Sequence, residues 1–407
     1  MTKKLSKSWP WLVCIVLMLA TFLSYIDRNA FGIVASEIQH EFTWDNRTMG
    51  RLFSAFFWAY GIMHLFVGFF LDRYNIRFTY GLFVLFWSIS QIMIGFARSF
   101  AGIFAARFSL GVFEAAAQPG GARIIARIIP RKDRTLANSI LISGGSIAAS
   151  FAPFVVIFLN GWIGWRYAFI FLGGLGIIWT IFWLSWFKPD ESILKGTVDG
   201  KKELKEEDRW ANILRNPKFW ACIAGATMVI PIIHIVYSWI TLYFVQTWNL
   251  DLKVDLALYL LLAGLGFELG LYTTGGIVSF FSRRGIAVGR LRKMVLLFAA
   301  LCMLAISFLS KSPTPMFAVF LFFLLNVGRA AFGTIFLSFN QEISKVRVGF
   351  IAGLMGAIGS FSGAGMISVI GNISAGGNFN LTFLIVGLMG AIGCLPFLLL
   401  DWDKGVE

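Results

Sequence analysis

Apolar residues run through this chain in stretches of about 20, the length that carries a helix across the roughly 30 Å hydrocarbon core of a bilayer. Such stretches are expected at 9–35, 48–71, 79–97, 100–127, 135–159, 166–187, 218–247, 254–281, 288–310, 315–338, 347–371 and 380–400. Within hydrocarbon the backbone must satisfy its own hydrogen bonds, so these runs are helices rather than open strands. One long polar stretch interrupts them and separates two blocks of six. The pattern therefore predicts an all-α membrane protein with twelve transmembrane helices in two six-helix bundles. The bundles span 1–187 and 218–407, and a cytoplasmic linker spans 188–217. Within the linker, 201–214 reads equally as a surface helix or as part of a solvated tether.

Composition agrees with the pattern. Hydrophobic residues make up 58% of the chain and charged ones 14%, against about 45–50% and 25% in ordinary soluble domains. The net charge of +14 suggests a nucleic-acid partner until its placement is considered. With the N-terminus placed in the cytoplasm, most Lys and Arg fall on the cytoplasmic side, among them Lys3, Lys4, Lys7, Arg73, Arg77, Arg123, Arg127, Arg134, Arg283, Arg284 and Arg290. Arg47, Arg51, Arg98, Arg166, Lys253 and Lys311 fall on the other. That asymmetry is the positive-inside rule. It puts both termini in the cytoplasm and makes the basic charge a record of topology, with no nucleic acid implied. Cys14, Cys222, Cys302 and Cys394 stand singly in apolar runs, a pattern of buried free thiols that offers neither a metal site nor a disulfide. The basic, apolar start resembles a secretory signal, but its apolar stretch is long and no small-residue cleavage site precedes Asp27, so it reads as an uncleaved first helix.

The informative residues are charges inside the apolar runs. A charge at bilayer depth costs about 2.5–3.5 kcal/mol on insertion scales, so such residues mark sites that handle charge. Asp27 and Arg28 sit side by side in the first run, and Arg107 and Glu114 sit two helical turns apart in the fourth. A guanidinium stays charged at any relevant pH and offers a bidentate fork to a carboxylate. Arg28 is thus the candidate anchor for a substrate anion, with Arg107 as a second cation. Asp27 and Glu114 are the candidate proton carriers; the competing reading for each charge is a static lock between helices. Tyr25 and Tyr60 offer rings and hydroxyls suited to a sugar. Gln118, Ser143 and Ser146 add polar groups nearby. In the seventh run, His234 and Tyr237 follow Pro231, which permits a local break in the helix. His64 and His234 either titrate or make interhelical hydrogen bonds. Glu268 and Arg329 are the intramembrane charges of the second half, and a simple carrier does not need them.

After the second run, Gly68-Phe-Phe-Leu-Asp72-Arg73-Tyr-Asn-Ile-Arg77 resembles the loop 2–3 signature of the major facilitator superfamily, with Asn75 and Ile76 departing from it. More narrowly, Tyr25-Ile-Asp27-Arg28, Arg107 with Gly111-Val-Phe-Glu114-Ala, Pro119, and Gly164-Trp165-Arg166-Tyr-Ala-Phe169 resemble the anion:cation symporter family. That family includes bacterial carriers of hexuronate, galactonate and glucarate and the animal sialic-acid and vesicular glutamate transporters. The likeness is strong over about 10–190 and looser beyond. The resemblance implies the major facilitator fold, proton coupling through the acids matching Asp27 and Glu114, and anion binding at the Arg matching Arg28. It also implies a substrate beside the Tyr matching Tyr60. The glycine-rich eleventh run has Gly356 and Ser360 where the family commonly has Asn.

Together these features predict a secondary transporter, not an enzyme: no nucleophile–base pair, metal cluster or phosphate-binding glycine loop is present. The expected reaction is proton-coupled symport of a small organic anion, most readily a sugar acid. Protons are the coupling ion, no other cofactor is expected, and the carrier is expected to act as a monomer in a bacterial inner membrane. Asp72, Arg73 and Arg77 are the expected gating residues, a latch at the cytoplasmic mouth. The competing functions are efflux antiport of amphipathic compounds, which the 43 Phe and 15 Trp favour, and a non-transporting membrane receptor.

Overall fold

The computed structural model describes residues 8–130, 133–189, 210–344 and 347–400, and the expected 188–217 linker lies mostly outside them. Every regular element among the described residues is helical, in the order α1 (Trp9–Ile33), α2 (Ala35–Phe42), α3 (Asn46–Arg73), α4 (Ile76–Phe96), α5 (Phe100–Glu114), α6 (Ala117–Ile128) and α7 (Arg134–Trp186). Next come α8 (Trp210–Arg215), inside the expected linker, then α9 (Pro217–Met228), α10 (Ile230–Trp248), α11 (Val254–Arg283) and α12 (Val288–Leu304). A 3-10 turn (Ala305–Lys311), α13 (Pro315–Ile343), α14 (Val348–Ile373) and α15 (Asn380–Leu399) complete the chain.

Among the described residues, eleven helical stretches are long and apolar enough to cross a membrane. One of them, Leu136–Trp186, has 51 residues, about 76 Å of helix at 1.5 Å per residue. That is more than twice the roughly 30 Å one crossing needs. Gly164 divides it, with φ 79° and ψ 158°, a conformation that suits a residue without Cβ. Two crossings result, which makes twelve among the described residues. Exposed Leu12, Ile15 and Leu19 on α1, and Phe66 and Phe69 on α3, form apolar outer stripes suited to lipid.

Capping residues set where the helices begin. The Asn75 side chain accepts from Arg77 N and so opens α4, while Ser99 accepts from Gly102 N at the start of α5. Asn216 and Thr314 do the same for α9 and α13, each followed by a proline in the first turn. There the missing N–H removes no helical bond.

The chain divides into two compact units, Met1–Glu37 with Ala55–Lys201, and Ile38–Ser54 with Lys202–Glu407. In the first, α7 packs along α1 and α4. Trp179 Nε1 donates to the Val16 carbonyl and Trp183 Nε1 to the Arg77 carbonyl, both at 3.0 Å. Arg166, just past the Gly164 break, donates to the Gly95 and Ala97 carbonyls at 3.0 and 2.6 Å, closing the end of α4, and its guanidinium covers Trp165. The Gly-Trp-Arg motif is thus a structural joint: a bend, a ring and a cap. Arg166→Ala should cost about 1–3 kcal/mol for the lost charged hydrogen bonds and lower the melting temperature in detergent; unchanged melting would refute that role.

The second unit carries its own polar ties. Asn46, almost fully buried, donates to Gln246 Oε1 and to the Ser374 carbonyl and accepts from Gln39. Glu342 on α13 pairs with Lys218 of α9 at 3.2 Å and Arg292 of α12 at 2.8 Å. The intramembrane Arg329 donates to Asn326 Oδ1 and lies over the Phe267 ring, while Asn326 itself donates to the Ala263 carbonyl. All four cysteines are buried and free.

Candidate functional site

Neighbouring residues on a helix point about 100° apart, so Asp27 and Arg28 serve different partners. Arg28 crosses from α1 to the end of α5, where its Nε and Nη2 both donate to Glu114 Oε2 at 3.2 and 3.1 Å. The pair is deeply buried, with the Arg28 side chain 9% exposed and Glu114 fully enclosed. Three rings surround the guanidinium: Tyr25 at 4.9 Å, Phe56 at 5.1 Å and Tyr60 at 4.6 Å from ring centre to Cζ. Such contacts are worth about 2 kcal/mol or more when desolvated. Gln118 Nε2 donates to the Tyr25 hydroxyl at 3.1 Å and so fixes that ring from α6. Four sequence-derived candidates thus gather around one cation within the first unit: Tyr25, Tyr60, Glu114 and Gln118.

Local sequence explains how Glu114 arrives there. The crossing expected over 100–127 is one stretch, Phe100–Ile128, with a short break in its helix at Ala115–Ala116 between α5 and α6. Pro119 has no N–H to offer the Ala115 carbonyl four residues back, and Ala116 N makes a long bond of 3.4 Å back to the Phe113 carbonyl. One turn before the break, Gly111 lets α5 meet the α3 backbone, because a Cβ there would overlap the Phe56 carbonyl oxygen. Close approach sets Phe56 between two cations. Arg107, 2% exposed, lies over Phe31 at 4.5 Å and over the same Phe56 at 5.2 Å. The seven-residue spacing from Glu114 thus sends Arg107 to aromatic partners on α1 and α3.

Asp27 is fully buried, and neither of its carboxyl oxygens has a hydrogen-bond partner among the described residues. It stands within electrostatic range of Glu114. Leaving an ionised carboxylate unpaired in such surroundings is costly.

The remaining candidates lie elsewhere. His234 and Tyr237 are on α10 in the second unit, where His234 is buried against Gly363 of α14 and Tyr237 is half-buried. Arg77 donates to the Leu184 carbonyl, tying the start of α4 to the end of α7. Arg73 lies over Phe69 at 5.6 Å, and the Asp72 side chain falls outside the described residues. Ser143 turns back onto the Ile140 carbonyl. Sequence reasoning missed Phe56; its only signal is its place one turn before Tyr60, on the same helix face. Among the described residues no group of three or more His, Cys, Asp or Glu is placed to hold a metal.

A helical chain with twelve membrane-length crossings among its described residues, a buried arginine–glutamate pair and a second buried acid beside it is built as a membrane transporter. It belongs to the Major Facilitator Superfamily, whose model matches residues 17–367. Similar proteins include the D-galactonate transporter of Escherichia coli O6:H1, 26% identical over 97% of this chain and 96% of that protein. The hexuronate transporter of Escherichia coli K12 is 24% identical over 96% and 93%. The probable galactarate/D-glucarate transporter GudP of Bacillus subtilis is 27% identical over 96% and 91%. Among solved structures, a bacterial homolog of the human lysosomal transporter Spinster, inward-facing and unoccupied, aligns with TM-score 0.70 and 23% identity over 97% of this chain and 92% of that one. The nucleoside transporter NupG aligns with TM-score 0.74 and 14% identity over 95% and 98%. At these identities the structural likenesses establish the fold.

Proposed function

We propose that this protein is a proton-coupled importer of a small organic anion of the sugar-acid class, working in a bacterial inner membrane with both termini in the cytoplasm. The relatives named for galactonate, hexuronate and galactarate or glucarate transport support the cargo class. The observation that carries the coupling is the Arg28–Glu114 pair at 3.1 Å. Glu114 already occupies the guanidinium fork with a carboxylate, the group a sugar acid would bring. Protonating Glu114 weakens its hold, because a neutral acid forms a poorer partner for a cation than a carboxylate does. Arg28 is then free for the incoming anion, between Tyr25 and Tyr60. Proton and anion bind together because one acid and one anion compete for one cation.

Asp27 supplies a second protonatable group, which exchanges its proton only in a state that hydrates it. Two protons with one monoanion carry one net positive charge inward, and an interior-negative potential contributes about 2.3 kcal/mol per charge per 100 mV. The Asp72–Arg77 segment is proposed as the cytoplasmic gate, and a single chain as the working unit. The cargo class is tested by melting the detergent-purified protein with hexuronates, aldonates, aldarates, sialic acids and simple dicarboxylates. A ligand that binds only the folded state raises its apparent stability. Stabilisation by one or more hydroxylated acids at millimolar concentration is expected; stabilisation by amphipathic cations alone would reverse the reading.

A further inference from the structure

The α3 helix carries an aromatic ladder that runs beyond the anion anchor. Phe56 stacks on Tyr60 at 5.4 Å, and Tyr60 meets the His64 imidazole at 4.2 Å between ring centres. Arg28 covers the first two rings and stands within electrostatic range of the third. His64 does not belong to the lipid side. The exposed stripe of α3 is Trp58, Ile62, Leu65, Phe66 and Phe69, whereas His64 lies about 40° around the helix from Tyr60, on the face opposite that stripe. Its Nδ1 is buried and has no hydrogen-bond partner among the described residues. Buried polar atoms of that kind are uncommon and call for an explanation. Burying an imidazole against Tyr60 for packing alone would leave that nitrogen uncompensated, and leucine or phenylalanine would fill the place at lower cost.

We infer that His64 is a substrate-contacting residue that reads hydroxyl groups, its Nδ1 hydrogen-bonding a hydroxyl of the acid whose carboxylate is held at Arg28. The inference rests on the cargo class proposed above and adds a residue and a direction to it. One turn of helix, about 6 Å, separates Tyr60 from His64, a distance of a few carbon–carbon bonds. The carboxylate end therefore lies beside Tyr60 and the hydroxylated chain extends along α3 toward His64. A site built to hydrogen-bond a hydroxyl rejects analogues that lack it, because its buried polar atom is then left unpaired. His64 thus separates polyhydroxy acids from unsubstituted carboxylates of the same length.

The test uses the purified full chain, with galactonate, glucuronate and glucarate as hydroxylated probes and hexanoate and adipate as unsubstituted ones. Apparent affinities are read by thermal shift and by uptake for the parent protein and for His64→Leu, His64→Asn and His64→Gln. An asparagine amide falls near the position of Nδ1, whereas glutamine reaches the position of Nε2. The expected result is a loss of about 10- to 100-fold in affinity for the hydroxylated acid in His64→Leu, recovery in His64→Asn but not in His64→Gln, and unchanged weak binding of hexanoate and adipate. Maximal uptake at saturating substrate stays within a few-fold, since the change acts on binding. Parental affinity for the hydroxylated acids in His64→Leu overturns the inference while leaving the cargo class standing. Equal losses for hydroxylated and unsubstituted acids assign His64 to packing and also overturn it. If the parent protein binds none of the hydroxylated acids, the cargo class itself fails and the inference with it.

Discussion

Arg28→Ala should abolish uptake of the organic anion and remove its stabilising effect on the folded protein. The substitution takes away the partner of the enclosed Glu114 carboxylate, two hydrogen bonds at 3.2 and 3.1 Å, and the cation beneath three rings. Truncating one member of a buried hydrogen-bonded charge pair costs about 2–5 kcal/mol in comparable interfaces, a loss of about 30- to several thousand-fold in anion affinity. Arg28→Lys separates charge from geometry. It keeps a point charge but loses the planar fork and the ring stacking, so it should bind the anion measurably yet well below the parent protein. Equilibrium binding in detergent, on protein shown to be monodisperse, is the measurement. Parental affinity in Arg28→Ala would remove this residue from the site.

Glu114→Gln should dissociate exchange from accumulation. The amide keeps the shape and leaves Arg28 without a competing carboxylate, so the anion should bind at least as tightly as to the parent protein and lose its dependence on pH at this site. Without a titrating group at 114, net uptake driven by an inward proton gradient should fall by a factor of about 10 or more, by analogy with the 10²–10⁴-fold contributions of positioned proton-transfer groups in enzymes. Anion-for-anion exchange across equal pH should persist. Loss of binding as well as of uptake would instead make Glu114 a structural partner of Arg28. Asp27→Asn removes a group with no hydrogen-bond partner among the described residues, so it should perturb folding less than Arg28→Ala and lower gradient-driven uptake.

Much of the architecture is legible in the sequence because lipid demands continuous apolar runs, and those runs fix helix number and type. Their interruptions are harder to read. The joint at Gly164 is legible, because the apolar runs 135–159 and 166–187 are separate in the sequence on either side of it; the interruption between α5 and α6 lies inside the single run 100–127, and Pro119 explains it only once the structure shows it. At the site, the rarity of charges in hydrocarbon picks out Asp27, Arg28, Arg107 and Glu114. It does not pair them. Arg28 lies next to Asp27 in sequence, yet it bonds to Glu114, 86 residues away, because adjacent helical positions diverge. Arg107 settles over Phe31 and Phe56, a choice that no charge pattern encodes, since aromatic residues are too common here to single out one ring. Gln118 reaches the Tyr25 hydroxyl from the first turn of α6, a contact that spacing alone does not encode. The second unit is less legible: Asn326 and Arg329 form a polar pair within α13, and spacing alone does not say whether such a pair serves packing or cargo.

The account stands on competition between Glu114 and the cargo for the Arg28 guanidinium, and proton movement with the anion tests it most directly. Protein reconstituted in liposomes, in weakly buffered medium with a pH electrode outside, receives a pulse of a sugar acid that stabilises the protein. The account predicts alkalinisation of the medium in step with uptake of labelled anion, lost in Glu114→Gln. Uptake that proceeds at the same rate with no pH change, and is indifferent to a proton gradient of either direction, would contradict it.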